Sequence, residues 1–174
     1  MKIRFIITSA ILFLSLSAFA QRVAYVDSEY ILSNIPEYMA AQKQLDDLAA
    51  EWQSQVDEQF AEIEEMYQEY QEDQATMSAE MRRRREDMIV SKEREVKEFQ
   101  RLKFGFEGDL FKERNKLIGP VQARVSKAIE AIAERQDLDL ILDKGTETFL
   151  FANPRIDKSK EVLAQLGITQ TNNN

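Results

Sequence analysis

Methionine and tyrosine side chains crowd one stretch of the chain, at Met66, Tyr67, Tyr70, Met77, Met81 and Met88, and the run Arg82-Arg83-Arg84-Arg85 lies among them. The chemistry open to such residues is contact chemistry. Thioethers conform to irregular apolar surfaces, and clustered guanidinium groups attract acidic polypeptides or lipid headgroups. Little else could act on a substrate. The chain has no Cys and no His, which excludes disulfides, thiol catalysis, imidazole bases and the usual zinc sites. Carboxylates are plentiful, but no region gathers paired acids on an apolar, loop-rich wall. No Gly-rich loop with Lys and Ser/Thr is available for nucleotide phosphates. No cofactor or metal is expected, and an enzyme is the least supported class. The candidate contact residues are Met66, Tyr67, Met77, Met81, Arg82, Arg83 and Arg84. Tyr70 and Met88 are assigned instead to a helical seam.

These residues must be positioned by a long hairpin of helix, roughly Pro36 to Ile118, folded back near Met77–Met81. The outgoing arm carries Leu45, Leu48, Trp52, Val56, Phe60, Ile63, Tyr67 and Tyr70 in steps of three and four, one stripe of an amphipathic helix. The returning arm carries Met88, Ile89, Val96, Phe99, Leu102, Phe106 and Leu110, with a seven-residue repeat through Ile89, Val96, Leu110 and Leu117. An antiparallel pair requires a constant sum of partner numbers. Leu48 with Leu110, Trp52 with Phe106, Val56 with Leu102, Tyr70 with Met88 and Met77 with Met81 each sum to 158, and Phe60 with Phe99 and Ile63 with Val96 to 159.

Charge divides between the arms. Glu37 to Glu80 holds 13 acids and one base, Lys43, whereas Met81 to Ile118 holds 12 bases and 8 acids. Pairing of an acidic arm with a basic one is expected to fix their alignment, with Arg85 level with Asp73. Ser78 is a possible N-cap for the return helix. Hinge candidates are Gly105, Gly108, Gly119 and Pro120. Gly105 and Gly108 would each cost a helix interior about 1 kcal/mol relative to Ala, so they serve either close packing or bending. At Gly119-Pro120 the arm is expected to kink or end.

The two chain ends read as one small body. Arg22 to Val26 predicts a short strand, and Asp27 or Ser28 caps a brief helix from Glu29 to Leu32. Past Pro120, Val121, Val125, Ile129 and Ile132 stripe another helix. Asp137–Asp143 and Thr148–Phe151 predict a β-hairpin about Gly145, which the strand near Val23 can join. Asp157 or Ser159 caps a last helix that Gly167 stops. The expected class is α+β, mostly α, with body residues 21–36 and 119–168, an arm at 37–118 and a disordered tail at 169–174. A body of about 65 residues is marginal alone, and an arm pair with one seam has no second layer. Both favour self-association.

The first twenty residues have the form of a signal peptide: Lys2 and Arg4, an apolar run from Phe5 to Leu16, and Ala18-Phe19-Ala20 before a cut at Gln21. An exported chain is expected. Without Lys2 and Arg4 it carries 21 bases against 31 acids, a net charge of −10, which opposes nucleic-acid binding. Any membrane contact is expected to be peripheral.

Across the mature chain the pattern resembles the Skp/OmpH family of periplasmic chaperones. The resemblance rests on Val23-Ala24-Tyr25-Val26-Asp27, on the charged hairpin, and most specifically on Pro120 to Asp143. There Ala128-Ile129-Glu130-Ala131-Ile132-Ala133 is followed by Asp139-Leu140-Ile141-Leu142-Asp143. Phe151-Ala152-Asn153-Pro154 with Asp157 also fits. The resemblance implies a periplasmic homotrimer whose bodies assemble by their β-elements. Its helical arms would hold unfolded outer-membrane β-barrel proteins in a cavity without ATP. The chain departs from the best-known basic members in its acidity, and no lipopolysaccharide-binding residues are carried over. A structural spacer or tether in the envelope is the competing expectation.

Overall fold

The computed structural model describes residues 22–147 and 149–168. The signal-peptide segment, Thr148 and the 169–174 tail lie outside the described residues. Strand β1 (Val23–Val26) leads into α1 (Ser28–Ser33), and Asp27 caps that helix by accepting the Tyr30 amide at 2.9 Å. Pro36 then opens α2 (Pro36–Asp73) in its first turn, where a missing N–H leaves no helical bond unmade. The chain reverses at residues 74–78 into α3 (Ala79–Phe104), whose N-cap Ser78 accepts the Met81 amide at 3.2 Å. Helix α4 (Asp109–Gln136), strand β2 (Leu140–Asp143), a 3-10 turn (Pro154–Ile156) and α5 (Ser159–Gln165) follow. The chain is mostly helical with a small two-stranded sheet, the α+β class its sequence implies.

The arm is an antiparallel pair, α2 against α3 and the start of α4. Its outer seam buries Val56, Ile63, Ile89 and Val96, flanked by Met66, Tyr70, Phe99 and Phe104. Nearer the body Ala41, Leu45 and Ile118 form a second cluster, with Tyr38, Leu110 and Leu117 against it. The heptad series Ile89, Val96, Leu110, Leu117 does face α2, and Ile63 and Val96 are both buried. Several other expected pairs do not meet. Trp52 stacks edge-on against Phe104, at 6.2 Å between centroids, while Phe106 is 98% exposed. Met88 and Leu102 also face solvent about half-exposed, at 54% and 48%. The physical reason is that a constant sum fixes height along the pair and leaves the facing side of each helix undetermined. Nor can the sum hold where the return arm is interrupted, since α3 ends at Phe104 and α4 begins at Asp109.

That interruption corrects a second expectation. Gly105 and Gly108 are the C-cap of α3 and the N-cap of α4, not interior helix residues. Conversely α4 does not end at Gly119 and Pro120, where the arm is expected to kink or end, but continues as helix past both. The buried stripe Ile118, Val121, Val125, Ala128 and Ile132 continues on both sides of the proline. Its packing offsets the roughly 3 kcal/mol that an interior proline costs. One helix thus joins arm to body.

In the body, β1 and β2 pair in parallel, Val23 with Leu140 through Val26 with Asp143. The crossover between them is the entire arm. This replaces the expected hairpin, because residues 149–153 form no strand. After Asp143 the chain coils: the Thr146 and Glu147 amides both donate to the Asp143 carbonyl, at 3.2 and 3.0 Å. Such a turn does not return the chain along β2. Phe149 instead packs its ring 5.8 Å from that of Tyr25. The other edge of β1 is met by Asp157, with the Lys158 amide donating to the Tyr25 carbonyl at 2.9 Å. The last helix has Lys158 at its N-cap with no side-chain cap bond, in place of the expected Asp157 or Ser159. Asp157, one residue earlier, accepts the Ser159 amide at 2.8 Å, and Gly167 follows the helix at φ 75°. The core gathers Val26, Ile31, Ile35, Val121, Val125, Ala128, Ile132, Val162 and Leu163.

Two carboxylates tie the strand ends to α1. Asp143 accepts the Ser28 hydroxyl at 2.6 Å and the Ser28 and Gly145 amides, each at 3.1 Å. Burial pushes its carboxyl up, but these hydrogen bonds outweigh burial and hold it below its ordinary value. Asp27 is likewise lowered, first by the Tyr30 amide and then by Lys144, 2.9 Å away. Depressed carboxyl values stabilise the fold above the unfolded value of about 3.9 and cease to do so as pH falls through the folded ones. Thermal melts are therefore expected to lose midpoint below about pH 4. Asp143→Asn should flatten that dependence; a slope equal to wild type would refute the assignment.

Candidate functional site

The arm is the feature that projects from the body. At 1.5 Å per residue the 38 residues of α2 span about 57 Å. Its end is built by the 74–78 turn, in which the Thr76 and Met77 amides both donate to the Asp73 carbonyl. Around it the expected contact residues separate into two groups. Met66 packs in the seam, and Met77 is half-buried in the turn. Tyr67 lies at the seam's margin, where its hydroxyl donates to Glu93 at 2.9 Å. That bond holds its hydroxyl above the ordinary value. Met81 is 56% exposed, and Arg82, Arg83 and Arg84 are exposed beside it. Arg84 pairs with Glu80 at 2.5 Å, while Arg82 and Arg83 form no ion pair among the described residues. The tip therefore presents one methionine and two unpaired guanidinium groups.

Charge aligns the arm only in places. Arg85 meets Glu69 at 3.3 Å, not Asp73, and Lys92 meets Glu62 at 2.7 Å. The Tyr70 hydroxyl donates to Glu86 and is raised by that bond. At the arm's base Arg124 reaches Glu37 at 3.3 Å. Most other ion pairs on the arm lie within one helix, as Lys43–Asp47 and Arg101–Glu98 do. Exposed pairs of this kind contribute about 0–1 kcal/mol each. The acidic outer face of α2 is left to water.

Apolar side chains missed by sequence reasoning lie exposed along the arm. Phe60, Met88, Val90, Leu102, Phe106 and Phe111 are each more than two-fifths open to solvent. Phe60, Met88, Leu102 and Phe106 are among those the sequence assigns to the seam. The one signal that could have redirected Phe106 is its place between Gly105 and Gly108, which favours a link over a helix. Among the described residues there is no group of acids positioned to hold a metal ion, and no helix long and apolar enough to cross a membrane.

A small body carrying one long antiparallel helical arm, with apolar side chains exposed along an otherwise charged surface, defines the class of this chain. The chain belongs to the OmpH-like outer membrane protein family, whose pattern it matches over residues 22–166. It is also similar in fold to a crystal structure of an OmpH-like candidate outer membrane chaperone from Caulobacter crescentus CB15. The two share 14% identity at a TM-score of 0.65, over 84% of this chain and 83% of the other. Among curated proteins no match is found.

Proposed function

We propose that the protein is an ATP-independent periplasmic holdase that binds unfolded outer-membrane β-barrel proteins between the arms of a homotrimer. The observation that carries this reading is the row of exposed apolar side chains on an otherwise highly charged arm. Each offers a weak contact, and several arms acting together raise the apparent affinity without a deep pocket. Met81 and Met88 supply adaptable contacts, and Arg82 and Arg83 at the tip attract acidic client segments.

Self-association is supported by the body. Leu150 and Phe151 are 102% and 85% exposed, and Leu140 on β2 is half-exposed. A cleft of about 470 Å³ opens between β1, β2, α1 and α4, walled by Val26, Leu32, Val125, Ile129, Ile141 and Leu142. One copy thus carries both projecting apolar side chains and a recess whose apolar wall is interrupted by Ser28, Gln122, Ser126 and Asp143, features that a closed ring of copies would bury. The OmpH-like membership supports a periplasmic site of action, with peripheral membrane contact at most.

Dilution of a urea-unfolded β-barrel protein into buffer containing residues 21–174 tests the reading. Aggregation is expected to be suppressed at near-stoichiometric trimer with no nucleotide present. Absence of suppression, with a stable envelope partner recovered instead, would favour a structural spacer.

A further inference from the structure

The break in the return arm carries a polar residue at a seam position. The repeat that places Ile89, Val96, Leu110 and Leu117 against α2 falls, at its missing step, on Lys103. Its side chain is only 25% exposed. The Lys103 Nζ lies 4.6 Å from the centre of the Trp52 ring and 5.6 Å from that of Phe99. It also lies 2.7 Å from Asp109 Oδ2, on the first residue of α4. One ammonium group therefore touches all three helices: α3 through its own backbone, α2 through Trp52 and α4 through Asp109. A lone lysine at such a position specifies an arrangement at a cost in stability relative to an apolar residue. Cation–π contact and an ion pair offset that cost without removing the break.

The link itself is built to be a break. A Cβ on Gly105 would stand 2.3 Å from the Arg101 carbonyl oxygen, and one on Gly108 2.8 Å from that of Leu102. Between them Glu107 holds a left-handed φ of 53°, a conformation that costs a non-glycine residue free energy. Among the described residues, the hydrogen bonds that bridge α3 to α4 here are Lys103–Asp109 and the Gly108 amide to the Gly105 carbonyl at 2.9 Å. On the opposite side α2 is continuous. We propose that Lys103, seated over Trp52 and paired with Asp109, is a latch that fixes the angle between α3 and α4 on α2. Its release lets α3 change its angle to α4 at Gly105–Gly108 while it packs on the continuous α2. The device goes beyond client holding and operates on the arm alone.

The chain suits a direct test because it has no Cys and a single Trp. Spin labels at Arg94→Cys in α3 and Lys127→Cys in α4, in full-length mature protein diluted with unlabelled subunits, report the angle without any client. Lys103→Ala and Asp109→Asn are each expected to broaden the distance distribution about twofold, by releasing a motion on the μs–ms scale of hinges. Both should also let acrylamide reach Trp52 more readily. Glu98→Gln, which removes only the Arg101 pair within α3, should change neither. Unchanged width and quenching in Asp109→Asn would overturn the latch. The same broadening in Glu98→Gln would overturn it too, by showing general fraying. Should Lys103→Ala lower helicity, Asp109→Asn decides, since it leaves the lysine stem in the seam. No client enters these readouts, so their outcome is separate from that of the aggregation test.

Discussion

Replacing Ile132 by alanine is expected to cost the body about 3–4 kcal/mol and, under the proposed function, to dissociate the trimer at concentrations where wild type stays assembled. Ile132 is fully buried at the centre of the body core, where it lies on α4 among residues from β1, α1 and α5. Truncating a buried isoleucine removes its transfer free energy and leaves a cavity that neighbours only partly fill. A body this small has little stability in reserve. Denaturant titration would measure the loss, and sedimentation the change in mass. A loss under about 1 kcal/mol would show that the core is looser than its burial implies.

The second large effect is expected in the arm. Val96→Asp places an unpaired carboxylate at a position of zero exposure, between Ile63 and Ile89 in the outer cluster. Burying an uncompensated charge costs about 4 kcal/mol or more, and the arm has a single seam. Helix content should fall, and α2 and α3 should lose amide protection outward of the break while the body stays protected. Client capture should be lost with it under the proposed function. Uniform loss of protection across body and arm would contradict the separation of the two cores. Because Val96 and Ile132 share no cluster, their effects are expected to add.

The comparison of these two residues shows what a linear chain reveals. Ile132 and Val96 both lie on apolar stripes of period near 3.6, and each is buried as that period requires. Phe106 and Met88 have the same composition and nearly the same spacing, yet they face water. Side-chain period reports which residues share a helix face only while the helix is continuous and its twist against the partner is known. Lys103 is the converse case: a charge at a seam position reads as a gap in the stripe, and only the packing of Trp52 and Asp109 around it gives it a place. At Pro120 a strong local signal gave way to packing on both sides, the ordinary outcome when tertiary burial exceeds a local penalty.

By itself the sequence determined the class of the protein: a long charged helical hairpin with its tip near residue 79, a helix start at Pro36 and another at Asp27 or Ser28, a small body from the two chain ends, and no Cys or His for thiol or imidazole chemistry. These follow from local propensity, capping and period, each settled within a few residues. Only the tertiary structure decided that β1 and β2 run parallel, that one helix joins arm to body, that the return arm breaks at Gly105–Gly108, and which apolar side chains the arm exposes. Those outcomes depend on contacts between residues far apart in the chain, whose competing free energies no local pattern contains.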